Sequence, residues 1–146
     1  MTLFDIPLHA SLVHFPIVLL SLGGMTLLIS LWRPGWWGDW GFASLLAGLV
    51  FTVPAVVSGL IDKSLLPIDS AANRLADLHT TGMVLMWPLF GAAAFLRYIW
   101  RDKLAAADKK ARVALLLILG LIFLIWAGHL GARLVYEMGV GVGDAL

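Results

Sequence analysis

Four stretches without a charged side chain divide the sequence: 8–32, 40–61, 78–96 and 113–132, of 25, 22, 19 and 20 residues. A helix needs about 20 apolar residues to cross the hydrocarbon of a bilayer. Inside lipid, each span must also satisfy its own backbone hydrogen bonds, so strands are excluded for isolated spans. The pattern predicts an all-α protein, a four-helix transmembrane bundle forming a single domain over 1–146. No cation precedes the first stretch, which is therefore expected to be a retained span and not a cleaved signal peptide. No internal repeat and no low-complexity segment is evident along the chain.

The links between spans carry the polar residues. Residues 33–39 form a turn broken by Pro34, Gly35 and Gly38, with Trp36, Trp37 and Trp40 placed to sit at headgroup level. Residues 62–77 contain Pro67, then Asp69-Ser70 as an N-cap for the third helix. Residues 97–112 read as a short charged hairpin. Pro54 and Pro88 fall inside spans, where they are expected to kink the helix.

Charge adds an orientation. The first and third links hold Arg33, Arg97, Arg101, Lys103, Lys109, Lys110 and Arg112, whereas the other side holds Lys63, Arg74 and Arg133. Cations favour the cytoplasmic side. The bundle is thus expected to be N-out/C-out, in a bacterial inner membrane with periplasmic termini. Composition agrees with a bilayer as the solvent: 61% of residues are hydrophobic, 13% are charged and mean hydropathy is +0.95. The absence of cysteine excludes disulfides, c-type haem attachment and iron–sulfur clusters. A net charge of +1 without a basic arm excludes a nucleic-acid partner. There is no nucleophile–base pair, HExxH motif or phosphate loop, so no catalytic residue is assigned.

Candidate chemistry rests on histidine, which inside membranes usually faces protein and marks function. His9, His14, His79 and His129 all fall toward the same side of the predicted bundle. The stripe Pro7, Ser11, His14, Val18, Ser21 and Met25 is smaller and more polar than its opposite, so His14 is expected to point inward. His9, rotated by about 140° from it, is then peripheral. His14 and His79 are the preferred ligands, with His129 as a substitute or supporting residue.

Three chemistries compete for these side chains. Haem b would take two neutral imidazoles, with Gly82, Gly128 and Gly131 giving room, Trp126 and Phe15 packing on the ring, and Arg133 or Arg74 meeting its propionates. Copper could use histidine with Met83 or Met86, although methionine in apolar helices is mostly packing. Structural histidines bonded to serine, aspartate or backbone are the third. Haem gives the leading functional expectation: a small membrane b-type cytochrome or haem-bearing subunit, passing electrons between a periplasmic redox protein or a quinone and the membrane. Asp62 or Asp77 could accept a proton near a quinone. The alternative is a non-catalytic membrane subunit or assembly factor. Glycine-lined faces would allow a homodimer. The Gly/Val-rich tail, 128–143, is expected to fold back over the histidine end of the bundle.

Four pieces of the sequence occur together: His9-x-x-x-x-His14-Phe15-Pro16-Ile17; Ser58-Gly59-Leu60-Ile61-Asp62; His79; and Gly131-Ala132-x-Leu134-Val135-Tyr136-x-x-Gly139-Val140-Gly141-Val142. In this combination the chain resembles the bacterial four-helix membrane proteins catalogued as domain of unknown function 2231. Relatives are joined to, or encoded near, Rieske-type and cytochrome c-type modules. The resemblance therefore implies electron transfer, without identifying ligands.

Overall fold

The computed structural model describes residues 2–3, 6–101 and 103–141. Two short strands, β1 (Thr2–Leu3) and β2 (Ile6–Pro7), pair antiparallel with Thr2 opposite Pro7. Five helices follow: α1 (Leu8–Leu12), α2 (His14–Ser30), α3 (Trp37–Ser64), α4 (Ala71–Ile99) and α5 (Ala107–Tyr136). Helices α1 and α2 together form the first span, Leu8–Ser30, and all four spans are long and apolar enough to cross a membrane. The protein is an all-α, four-helix membrane-spanning bundle.

The α1/α2 break has a local cause. Pro16 has no N–H to donate to the Leu12 carbonyl, and the regular pattern lapses at Val13. At the other links the helices run past the uncharged stretches. α3, α4 and α5 have 28, 29 and 30 residues. At about 1.5 Å per residue they exceed a hydrocarbon thickness of about 30 Å. Their polar ends continue the helix in the headgroup zone. Ser70 caps α4 as expected, its side chain accepting from the Asn73 N–H at 3.0 Å.

Packing is organised as two hairpins. α2 lies tightly on α3, and α4 on α5. The α2–α3 contact is made by backbone: a Cβ added at Gly23 would sit 2.7 Å from the Leu45 nitrogen, and one at Gly41 would sit 2.6 Å from the Leu27 nitrogen. Between hairpins, Leu20, Leu27, Leu45, Met86, Phe90, Val113 and Leu117 form the fully buried core. Ser44 donates to the Leu19 carbonyl across α3 and α2 at 3.0 Å. Pro54 and Pro88 lie inside α3 and α4. Trp87 donates its indole N–H to the Leu49 carbonyl at 3.3 Å, beside the Val50 carbonyl that Pro54 cannot serve.

The start of the tail turns back as anticipated. Gly139 adopts φ +66° and Gly141 φ +78°, a left-handed conformation that suits glycine. The Val140 N–H donates to the Leu134 carbonyl at 2.9 Å. Val140 then packs on Leu75, Ala76, Leu130 and Leu134. Val142 and Gly143 lie outside the described residues.

Candidate functional site

At the end where α1 begins and α5 finishes, the two hairpins separate around a cavity of about 400 Å³. All four spans and the returning tail line it. Its wall is mainly apolar, and His9 and His79 face each other across the hairpin boundary with ring centroids 6.5 Å apart and planes at 85°.

Each imidazole is held in the same way. The His9 Nδ1–H donates to the Ala55 carbonyl at 2.9 Å, and Ser58 Oγ lies 3.3 Å from the same nitrogen. Its ring covers Gly59, where an added Cβ would come within 2.7 Å of Cε1. The His79 Nδ1–H donates to the Ala127 carbonyl at 2.8 Å, and its ring covers Gly131, where an added Cβ would come within 3.0 Å. Each seat is thus an Ala-x-x-x-Gly turn on the following span, α3 for His9 and α5 for His79: alanine supplies the carbonyl and glycine the hollow. A carbonyl can only accept, so Nδ1 carries the proton in both rings, and in a neutral ring so seated Nε2 keeps its lone pair. This fixes tautomer and orientation in the manner of metal-ligating histidines.

The expected faces of the first span are reversed. His9 is the inward, half-buried residue, and His14, though it borders the cavity, is exposed. The buried stripe is His9, Pro16, Leu20, Gly23 and Leu27, with Gly24 beside it. Val18 and Met25, from the stripe expected inside, are about half exposed. Close contact with α3 selects glycine and leucine for the interior, and the mildly polar stripe faces out. A glycine-based contact outweighs polarity because lipid offers no hydrophobic force to sort the two faces.

The remaining expected residues divide. His79 lines the cavity; His129 is exposed on α5 and does not. Trp126 is 40% exposed, meets Phe123 edge-on and fills the hollow at Gly82, so Gly82 offers no free room. Phe15 stacks on Phe51 at the bundle's exterior. Arg133 pairs with Glu137 at 2.9 Å, and Arg74 donates to the Asp69 carbonyl, neither lining the cavity. Met83 and Met86 do border it, Met86 being fully buried. The cation at the mouth is Lys63, which pairs with Asp77; Asp62 lies beside it on the cavity wall. Among the described residues, no three His, Cys, Asp or Glu side chains group as a metal cage. From the sequence, His9 is expected at the periphery, Gly59 only as part of a family motif and Lys63 only as an orienting charge, yet all three line the cavity; the Ala-x-x-x-Gly spacing at 55–59 and again at 127–131 marks both seats.

No curated protein and no solved structure matches the chain. A family model does, described as a predicted membrane protein, DUF2231, and it covers residues 5–144. The chain therefore belongs to the DUF2231 family of membrane proteins.

Proposed function

We propose that the cavity holds haem b between His9 and His79, and that the protein is a small membrane electron carrier working at that side of the bilayer. The observation that carries this reading is the paired seat: two imidazoles, each with Nδ1–H on a backbone carbonyl and Nε2 free to ligate. The ring centroids lie 6.5 Å apart, close enough for both imidazoles to reach one metal ion. Haem with two imidazole ligands supplies one-electron transfer without an open coordination position.

The chain's own residues supply the rest. Gly59 and Gly131 set the ring positions, the apolar wall excludes water, and Val140 covers the tail side of the cavity. Lys63, in place of Arg133 or Arg74, is positioned to meet acidic groups at the mouth by leaving Asp77. Copper is less well served, because the methionines that would join the two histidines are taken up in packing, Met86 fully buried in the core and Met83 against it, whereas haem brings four nitrogens itself. A quinol or a small redox protein on that side would exchange the electron.

Protein purified in detergent from haem-replete cells is expected to show a Soret band and sharp visible bands on reduction. A colourless preparation that also fails to take up added ferric haem overturns the proposal. We further place both termini, and with them the cavity, on the periplasmic side of an inner membrane, supported by the excess of cations at the opposite links. A membrane-impermeant amine label should then reach Lys103, Lys109 and Lys110 in inverted vesicles and miss them in intact cells; the converse pattern reverses the orientation.

A further inference from the structure

We infer that the chain is built from two copies of one helix hairpin, and that the site lies on the pseudo-twofold axis between them, each copy delivering one equivalent ligand. A shift of 70 residues carries the first span onto the third: His9 onto His79, Leu20 onto Phe90, Gly23 onto Ala93. A shift of 72 residues carries α3 onto α5: Leu45 onto Leu117, Gly48 onto Gly120, Ala55 onto Ala127, Gly59 onto Gly131. Five of these seven pairs are buried on both sides of the comparison, and the histidines and their glycines are half-buried on both.

The contacts repeat as well as the positions. A Cβ at Gly48 would strike Leu20 at 2.7 Å, and one at Gly120 would strike Phe90 at 2.8 Å. The two histidine seats repeat in donor, acceptor and hollow. Two independent shifts, one per helix of the hairpin, thus predict the same partners in both halves.

Equivalence about an axis restricts the ligand. Its centre lies between the rings and it presents like faces to both, as a planar metal macrocycle does. Away from the centre the equivalence ends. Lys63 and Asp62 correspond to Val135 and Leu134, so charge lines only one edge of the cavity. This inference deepens the haem reading and rests on it for the ligand, but the equivalence of the two seats stands apart from it. Gly59 and Gly131 become positioning residues with the same task.

The test uses the full chain. With haem bound, Gly59→Val and Gly131→Val should each convert a six-coordinate low-spin spectrum to a five-coordinate high-spin one that binds carbon monoxide. Added imidazole should restore the low-spin form in both. Gly120→Ala, which presses on Phe90 deeper in the bundle, should lower thermal stability and leave the spectrum unmoved. A change of spin state in only one of the two valine variants, or in Gly120→Ala as well, overturns the inference. If wild-type protein binds no haem, the haem reading fails, and the seats are read in the apo protein by nitrogen-15 histidine NMR. Both His9 and His79 should then be Nδ1–H tautomers; an Nε2–H tautomer in either overturns the equivalence.

Discussion

Replacing His9 by alanine is expected to strip the haem absorption from the purified protein, and His79→Ala to do the same, whereas His14→Ala and His129→Ala leave it in place. Loss of even an outer partner of a metal ligand weakens a site by about 10–100-fold, so loss of the ligand itself should exceed tenfold. The two sensitive residues are those whose Nδ1–H is tied to a carbonyl on the neighbouring helix. The two insensitive ones are exposed. Haem content per polypeptide, read from the pyridine haemochrome, is the measurement. Ser58→Ala gives a graded version: it removes the hydroxyl 3.3 Å from the His9 nitrogen but keeps the Ala55 carbonyl. It should retain haem with a shifted potential. Bleaching by His14→Ala alone would return the first span to the face its serines suggested.

That first span shows where the sequence was legible and where it was not. Absence of charge marks a membrane span because an ion in hydrocarbon is costly, and on this basis all four spans are read correctly. The end of the bundle at which the cavity lies also follows, since four spans of known order bring His9, His79 and the tail to one side. Helix boundaries do not follow. Charged residues such as Lys63, Arg97 and Lys109 remain helical once they reach headgroups, and nothing in their charge says so.

Polarity is a poor sign of the inward face of this span. In α2, Gly23 and Gly24 decide the face through close approach, and Val18 and Met25 are left to lipid. The repeat is faint in the sequence for a related reason. Its two helices carry different offsets, 70 and 72 residues, and identity survives at few positions, among them His9 and His79, Leu45 and Leu117, and Gly48 and Gly120. What is preserved between the halves is a set of contacts, which becomes visible only when hollows and the side chains filling them are paired.

The same glycines give the largest expected loss of stability. Gly41→Ala should destabilise the protein, although alanine is the better helix former by about 1 kcal/mol. The added methyl would lie 2.6 Å from the Leu27 nitrogen and 2.7 Å from Thr26 Oγ1, and two helix backbones would have to part to admit it. Overpacking of this kind typically costs about 1–3 kcal/mol, and here it works against the close contact that holds helices together in lipid. Gly23→Ala meets the Leu45 nitrogen at 2.7 Å and should behave alike; because its methyl also approaches the Gly41 carbonyl, the two changes should not add. Gly91→Ala is the control, with nothing within 4 Å of the new methyl, and it should be neutral or mildly stabilising. Thermal unfolding in detergent, followed by helical circular dichroism, compares the three. Equal stability of the Gly41 and Gly91 variants would mean that α2 and α3 are not in backbone contact. The His9 seat depends on that contact, since α3 carries Ala55 and Gly59 while His9 reaches them from the helix that α2 continues. A Gly41 variant that still folds should therefore bind haem less tightly, without any change to a residue that touches the cavity.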